Sequence, residues 1–263
     1  FLIISDVDGT LLRASKGIPQ RNLEAINRFV QKGGHFALAT GRSTESARYY
    51  VKQLPVNFPC IVFNGGVIYD YQQEKEIYTL KLPKYSKEYL IKILDNFPDI
   101  GAVVLIGPYY YDVSRNNVAQ ELIVLEHVPI FKSKLEELPD DWYKVLFALK
   151  PEMMEELDKY AHSNNFDDVF FIRSNIHYYE MLPQNCTKGI ALDNLIDICK
   201  VKRENVIAIG DYYNDFDLLQ KAGFSATVSA APDDIKVLCD KVFGSCEDGA
   251  VADLIEYLES KYT

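Results

Sequence analysis

Four aspartates fall into two pairs near opposite ends of the 263-residue chain, Asp6 with Asp8 and Asp211 with Asp215. Each pair directly follows a short apolar run, which is typical of a buried strand in a parallel sheet. Ligands of open α/β sheets bind beyond the carboxyl ends of the strands, so the two pairs are predicted to meet in one crevice. These carboxylates would repel one another unless a hard cation neutralised them. Mg²⁺, which prefers oxygen ligands, is the predicted cofactor.

The spacing of the acids predicts a role for each of them. Asp6 and Asp211 are the expected side-chain ligands of Mg²⁺, and the main-chain carbonyl of Asp8 is a third ligand. Asp215 is expected to support this site, although it could also be a helix-capping acid without metal contact. A carboxylate can attack phosphorus and hold the phosphoryl group covalently, and Asp6 is placed to do so. Asp8 could protonate the leaving group and then deprotonate the attacking water.

Groups suited to binding a phosphate follow the other predicted elements. Lys188 stands at the predicted start of a helix after Thr187, where the helix dipole also favours an anion. The Thr40 hydroxyl and the backbone N–H groups of the turns at Gly9 and Gly41 would meet charge on the phosphoryl oxygens. The sequence therefore predicts a site for a phosphate ester.

Arg42 and Asn64 follow the second and third predicted strands and are further candidates for the phosphate site. Two interpretations of Arg42 stay open, a contact with substrate or an ion pair within the crevice. A further candidate for contacting the leaving group is the segment 173–175 together with His177, Tyr178 and Tyr179. Zinc binding is not expected, because the histidines have no ligand-like spacing: His35, His127, His162 and His177.

The alternation of strand and helix patterns predicts the α/β fold class. Apolar runs predict parallel strands at residues 2–5, 35–39, 60–63 and 206–209. A helix is expected after the first strand, with Pro19 as a suitable first helical residue. A doubly wound, Rossmann-like parallel sheet is therefore predicted as the core of the protein.

A long insertion interrupts this alternation. Residues 83–183 are predicted to form an inserted α+β domain, and residues 1–82 and 184–263 to form the catalytic core. Proline biases the preceding residue toward an extended conformation, so Pro83 and Pro183 are predicted to mark two short hinges. Motion at these hinges would open and close the crevice.

Composition excludes several classes of function. A formal net charge of −10 argues against sequence-independent binding of nucleic acid or of an anionic membrane. No apolar run is long enough for a membrane span, and the first residues do not resemble a signal peptide. The five cysteines contain no CxxC pair, so a reducing cytoplasm is expected. A monomer or weak homo-oligomer acting on a small phosphate ester is predicted.

Four motifs occur in a fixed order: Asp6-Val7-Asp8-Gly9-Thr10-Leu11, Thr40-Gly41-Arg42, Lys188-Gly189, and Gly210-Asp211 with Asn214-Asp215. Together they resemble the signature motifs of the haloacid dehalogenase superfamily of phosphatases. The insertion between the second and third motifs, together with Asn64-Gly65-Gly66, resembles the Cof-type branch of that superfamily. The cap of this branch is an α+β domain of the C2B kind.

The resemblance implies that Asp6 is the nucleophile and Asp8 the general acid and base. It implies that Mg²⁺ is held by Asp6, the Asp8 carbonyl and Asp211. The groups that it places around the phosphate are the Val7 main chain, Thr40, Gly41, Lys188 and Asn214. Members of this branch mostly hydrolyse sugar phosphates and other small phosphate esters. A magnesium-dependent phosphatase that uses an aspartyl-phosphate intermediate is therefore predicted.

Two other functions remain open. A phosphosugar mutase on the same scaffold would pass the phosphoryl group to a sugar hydroxyl instead of water. A non-catalytic phosphoacceptor module would also use an aspartate cluster, Mg²⁺ and a lysine. Asp8 as a proton shuttle and the large insertion favour the phosphatase over the phosphoacceptor.

Overall fold

The computed structural model describes residues 1–12, 17–122, 128–174 and 176–262. His127 and Asn175, which the sequence interpretation includes, lie outside the described residues.

The strands are β1 Leu2–Ser5, β2 His35–Leu38, β3 Cys60–Val62, β4 Val67–Asp70, β5 Lys75–Thr79, β6 Gly101–Ile106, β7 Tyr109–Asp112, β8 Ile130–Lys132, β9 Lys144–Ala148, β10 Val169–Arg173, β11 Tyr178–Pro183, β12 Val206–Gly210, β13 Phe224–Val228 and β14 Lys241–Phe243. The helices are α1 Gln20–Gln31, α2 Thr44–Val51, α3 Ser86–Asn96, α4 Val118–Leu122, α5 Met154–Ser163, α6 Lys188–Cys199, α7 Phe216–Lys221, α8 Asp233–Leu238 and α9 Ala250–Tyr262.

A parallel sheet with strand order β14-β13-β12-β1-β2 forms the centre of the fold. Strand β1 pairs in parallel with both β12 and β2, and Ile3 lies opposite Ile207 on one side and Phe36 on the other. These strands are continuous apolar runs because both faces of a parallel sheet are buried in α/β proteins. Helix α1 packs against α9, and α6 packs against α7. The predicted parallel core is present.

The N-terminal ends of α6 and α1 show how the local sequence determines where a helix begins. Helix α6 begins after Thr187, whose Oγ1 accepts a hydrogen bond from the Ile190 N–H at 3.2 Å. This N-cap satisfies one of the donors that the first helical turn leaves unpaired. Pro19 was predicted to be the first residue of α1, but the helix begins at Gln20. Pro19 has an extended ψ of 136° and precedes the helix instead.

The third predicted strand is not part of the central parallel sheet β14-β13-β12-β1-β2. Strand β3 pairs in antiparallel fashion with β4 in a sheet of order β3-β4-β5. Its parallel contact with the second predicted strand is one isolated bridge between Ala39 and Ile61. The reason is a tight turn, because Asn64 and Gly65 have positive φ values of 56° and 105° and reverse the chain into β4.

The chain divides into two compact units. The first contains residues 1–42, 47–79 and 187–263, and the second contains residues 43–46 and 80–186. The second unit is built on a mainly antiparallel sheet of order β10-β11-β9-β6-β7-β8. Its core includes Leu90, Ile93, Val104, Val145, Phe147, Leu157 and Met181. The role of 83–183 as a cap with two hinges remains a prediction.

Within the described ranges, the structure contains no helix with both the length and the apolar character needed to cross a membrane.

Candidate active site

Lys188 lies between two carboxylates. Its Nζ donates to Asp6 Oδ1 at 2.7 Å and to Asp215 Oδ1 at 2.6 Å, and all three side chains are buried. Lys188 is the first residue of α6, so the Thr187 N-cap fixes the point from which its side chain extends. Asp6 follows β1 directly. A buried ammonium is stable only with such charged partners, because burial of an isolated charge is very costly.

Three carboxylates form a cluster that fits a divalent cation. Asp6, Asp211 and Asp215 each offer one oxygen, and these oxygens lie within 4.8 Å of one another. The Asp211 pair was predicted to meet the Asp6 pair at the carboxyl ends of the strands, and the structure places it there, since β12 ends at Gly210 beside β1. Oxygen ligands of this kind suit Mg²⁺.

Burial and the neighbouring charges together shift the pKa values of this cluster. It raises the pKa of Asp6 well above the usual range, and the opposing effect of Lys188 does not cancel it. Burial, together with the Asp215 carboxylate, raises the pKa of Asp211 to about 7. Burial alone would lower the pKa of Lys188, but Asp215 and Asp6 outweigh it and raise that pKa. Three carboxylates thus share one lysine, and their cluster favours either a bound proton or a bound cation.

The loop after β12 is shaped around Asp215. Its Oδ2 accepts the N–H of Asp211 at 3.1 Å and the N–H of Tyr212 at 3.3 Å. Its carboxylate makes no capping hydrogen bond to α7 itself, but by accepting the Tyr212 N–H it caps the 3₁₀ turn Tyr213–Asp215 that leads into that helix. The capping role that was the alternative for Asp215 is therefore present. Asp215 also connects the backbone of the Asp211 loop to Lys188.

Two residues of the loop after β1 lie against Asp211. Thr10 Oγ1 donates to Asp211 Oδ1 at 3.0 Å. Gly9 has a φ of +90°, and a Cβ at this position would lie 2.4 Å from Asp211 Oδ2. Only glycine combines this backbone conformation with so close an approach. Sequence reasoning gave Thr10 no role, although its place in the first motif was the available signal.

Asp8 is bound by Arg42 in a bidentate ion pair. Arg42 Nε donates to Asp8 Oδ2 at 2.8 Å, and Arg42 Nη2 donates to Asp8 Oδ1 at 2.7 Å. The Asp8 side chain is 57% exposed, whereas that of Arg42 is 7% exposed. Of the two interpretations of Arg42, the structure thus displays the ion pair.

The loop after β2 brings three predicted residues together. Thr40 Oγ1 accepts the Arg42 N–H at 3.2 Å, and the Asn64 N–H donates to the Thr40 carbonyl at 3.0 Å. A Cβ on Gly41 would lie 2.7 Å from Asn64 Oδ1, so the amide packs directly against the glycine. Asn64 is buried in the turn after β3, beside this loop. Arg42 connects the loop to Asp8.

The remaining predicted residues lie in the loops that follow β1 and β12. The Val7 side chain is buried, and its carbonyl accepts the N–H groups of Leu11 and Leu12 at 3.0 and 2.9 Å. Asn214 is partly exposed in the 3₁₀ turn Tyr213–Asp215. The predicted residues thus group around two centres, the Lys188 cluster and the Asp8–Arg42 pair, which share the loop of residues 6–8.

A model of the haloacid dehalogenase-like hydrolase family matches residues 3–255. The chain belongs to this family. It is 26% identical over 257 residues to 5-amino-6-(5-phospho-D-ribitylamino)uracil phosphatase YitU of Bacillus subtilis, and the match covers 96% of this chain and 95% of that protein. It is 25% identical over 265 residues to pyridoxal phosphate phosphatase YbhA of Escherichia coli, with 97% of each chain covered.

A solved structure gives the same result for the fold. The crystal structure of a haloacid dehalogenase-like hydrolase from Bacteroides thetaiotaomicron matches with a TM-score of 0.88 and 25% sequence identity, and the match covers 98% of both chains. These matches confirm the family resemblance predicted from the motifs and the α/β fold class. They also confirm that this haloacid dehalogenase-like hydrolase is an enzyme of the phosphatase type.

Proposed function

We propose that this hydrolase is a magnesium-dependent phosphatase that cleaves small phosphate monoesters through an aspartyl-phosphate on Asp6. The observation that supports this proposal most strongly is the environment of Asp6. Its carboxylate has Lys188 at 2.7 Å and lies within 4.8 Å of the Asp211 and Asp215 carboxylates. A nucleophilic carboxylate beside a cation and an acidic metal site is the arrangement that phosphoryl transfer to an aspartate requires.

The donor set supports a site for Mg²⁺. Asp6 and Asp211 would hold the ion by their carboxylates and Asp8 by its main-chain carbonyl, while Asp215 supports the site through Lys188 and the Asp211 loop. When bound, Mg²⁺ supplies positive charge that neutralises the phosphoryl oxygens and the excess negative charge of the carboxylates.

In the first step, a carboxylate oxygen of Asp6 forms a bond to phosphorus while the bond from phosphorus to the ester oxygen breaks. The electron pair of that bond goes to the ester oxygen, which takes a proton from Asp8. In the second step, water attacks the same phosphorus and gives a proton to Asp8. The bond to Asp6 then breaks, which releases inorganic phosphate and restores the Asp6 carboxylate.

The other residues of the site bind the phosphate. Lys188 would neutralise charge on the transferring group, since a buried ammonium acts strongly where water is excluded. The Thr40 hydroxyl, the Asn214 amide and the backbone N–H groups of Val7 and Gly41 are proposed to contact the phosphoryl oxygens. Arg42 serves the site through Asp8, and Asn64 through its packing against Gly41.

The substrate class is proposed from the family and from the relatives. The names of YitU and YbhA describe phosphatases of small phosphorylated metabolites. Sugar phosphates or metabolites of similar size are therefore the proposed substrates, with residues 83–183 as the cap domain that selects the leaving group. A cytoplasmic monomer or weak homo-oligomer is proposed.

The test measures inorganic phosphate released from p-nitrophenyl phosphate and from a panel of small phosphate esters, with Mg²⁺ and with EDTA. Release should require Mg²⁺ and should be lost in Asp6→Asn. The matched control is Asp95→Asn on α3, a side chain that is 56% exposed and pairs with Arg115. Normal release by Asp6→Asn would refute the nucleophile assignment.

The same assay separates the alternatives. A phosphoacceptor module would accumulate phosphoprotein without continued phosphate release. A mutase would return an isomerised sugar phosphate. Either result would overturn the proposed hydrolysis.

A further inference from the structure

The Arg42 guanidinium is held along its edge and on its face. Its edge makes the two hydrogen bonds to Asp8, and its Cζ lies 5.0 Å from the centre of the Tyr50 ring. Tyr50 lies near the C-terminal end of α2 and is 6% exposed. Arg42 therefore lies between an exposed carboxylate and a buried aromatic ring.

These two contacts constrain different motions of the guanidinium. A bidentate pair fixes the carboxylate in the guanidinium plane but resists tilting of that plane only weakly. An aromatic face beneath the guanidinium attracts the cation and limits displacement out of the plane. The Arg42 side chain is 7% exposed, so little water is available to replace either contact.

The backbone of Arg42 is anchored as well. Its N–H donates to Thr40 Oγ1 at 3.2 Å, and its carbonyl accepts the Phe63 N–H at 2.9 Å. Both ends of this long side chain are thus restrained. The Asp8 carboxylate, which is more than half exposed, takes its position from the Arg42 head group.

We propose that Tyr50 is a positioning residue, which acts through Arg42 to hold the Asp8 carboxylate where it reaches the oxygen of the leaving group. This inference rests on the proposed function, because it requires Asp8 to transfer the proton. In this role Tyr50 would act without touching the substrate or the reacting atoms. Its contribution is the orientation of the guanidinium that carries Asp8.

The effect of a misplaced Asp8 carboxylate should differ between substrates. An alkyl phosphate has a poor leaving group that needs a proton as its bond to phosphorus breaks. p-Nitrophenol leaves as a stabilised anion and needs that proton much less. Misplacement of Asp8 should therefore slow alkyl phosphates more than p-nitrophenyl phosphate. General loss of folded protein would lower both rates by the same factor.

The experiment compares kcat/KM for 2-glycerol phosphate with kcat/KM for p-nitrophenyl phosphate in purified full-length variants. This quantity reports the step that forms the aspartyl-phosphate and excludes its later hydrolysis, in which Asp8 serves both substrates alike. In Tyr50→Leu, the alkyl-to-aryl ratio of kcat/KM should fall by about tenfold or more. Tyr50→Phe keeps the aromatic face and should keep the ratio. Tyr49→Leu removes the neighbouring, exposed ring and is the matched control.

A double-mutant cycle tests the route through Arg42. Arg42→Lys cannot form the bidentate pair and should lower the ratio by itself. Adding Tyr50→Leu to Arg42→Lys should then change the ratio by less than twofold, because both substitutions remove the same constraint. Tyr50→Met fills similar space without an aromatic face and serves in place of Tyr50→Leu if that variant does not fold.

An unchanged ratio in Tyr50→Leu or Tyr50→Met, or full additivity with Arg42→Lys, would overturn the positioning role. A wild-type chain that releases phosphate from neither ester would instead refute the proposed function. The two failures are therefore distinguishable in the same assay.

Discussion

Lys188 Nζ lies 2.7 Å from Asp6 Oδ1, although 182 positions separate the two residues in the sequence. The contact joins the first turn of α6 to the end of β1, and neither partner has appreciable contact with solvent. Charge in this cluster is therefore balanced by protein groups and, in the proposed holoenzyme, by Mg²⁺. Substitutions in and around this cluster should change that balance or the geometry that maintains it.

Lys188→Met should remove the main positive charge beside Asp6 and Asp215. We expect phosphate release to fall by at least about a hundredfold. The free energy of unfolding in EDTA at pH 8 should fall by about 3 kcal/mol, because buried carboxylates lose their partner. Urea denaturation checks this value.

Lys221→Met is the matched control for Lys188→Met. Lys221 pairs with Asp193 at 2.6 Å but is 32% exposed, so its substitution should cost less than about 1 kcal/mol of unfolding free energy. Equal losses in both variants would contradict the prediction.

The stability of the metal-free protein should fall as pH rises from 5 to 8. Burial raises the pKa of Asp211 to about 7, above its value of about 3.9 in the unfolded chain. The folded state therefore binds an extra proton at pH 5, and the stabilisation that this proton provides is lost as pH rises through 7.

Thermal melts in EDTA and in Mg²⁺ test this pH dependence. Mg²⁺ needs deprotonated ligands, so it should raise Tm more at pH 8 than at pH 5. Asp211→Asn should flatten the slope of Tm against pH in EDTA. A Tm in EDTA that stays constant or rises over this range would show that Asp211 does not carry the effect.

Gly9→Ala should impair the metal site beyond the cost of backbone strain. Gly9 has a φ of +90°, and its added Cβ would lie 2.4 Å from Asp211 Oδ2. Gly33 has a φ of +91° with nothing within 4 Å, so Gly33→Ala introduces the strain alone. Each substitution should cost about 1–2 kcal/mol in unfolding free energy.

The two glycine variants should differ in their need for metal. The Mg²⁺ concentration for half-maximal activity should rise by about tenfold in Gly9→Ala and stay at the wild-type value in Gly33→Ala. A Mg²⁺ titration of phosphate release measures both. If the two variants behave alike, the close approach of Gly9 to Asp211 has no influence on the ion.

Thr10→Val should weaken Mg²⁺ binding while preserving side-chain shape. The substitution removes the hydroxyl that donates to Asp211 Oδ1 at 3.0 Å, and with it a restraint on a carboxylate that is proposed to bind Mg²⁺. We expect an affinity loss of about tenfold, measured by calorimetric titration with Mg²⁺. Thr79→Val removes an exposed hydroxyl that bonds to Glu76 and should leave the affinity unaltered. A Thr10→Val protein with normal affinity would show that this hydrogen bond is dispensable.

The chain positions of the site were predictable from sequence, because polar residues that end parallel strands share one sheet edge. That rule was enough to predict that Asp6 and Asp211 meet. It did not supply the side-chain contacts, since strand ends and helix starts do not specify rotamers. The contact between Tyr50 and Arg42 depends on how α2 lies beside the preceding loop, and periodicity contains no such information.

The third predicted strand exists and is buried, but its main pairing with β4 was not predictable for a similar reason. A short apolar run predicts a buried strand but does not identify the partner of that strand. The positive φ values of Asn64 and Gly65 decide the partner, and they reverse the chain into β4. Strand β14 was not predicted, because it has three residues and no side chain that is fully buried.

The position of β1 between β2 and β12 has a consequence for protein synthesis. A ribosome completes β2 early but must translate the whole intervening segment before β12 can join the other side of β1. Until then Asp6 lacks both its ammonium partner and the Asp211 loop. The cluster of Asp6, Lys188 and Asp211 therefore forms only after the segment between β2 and β12 has been translated.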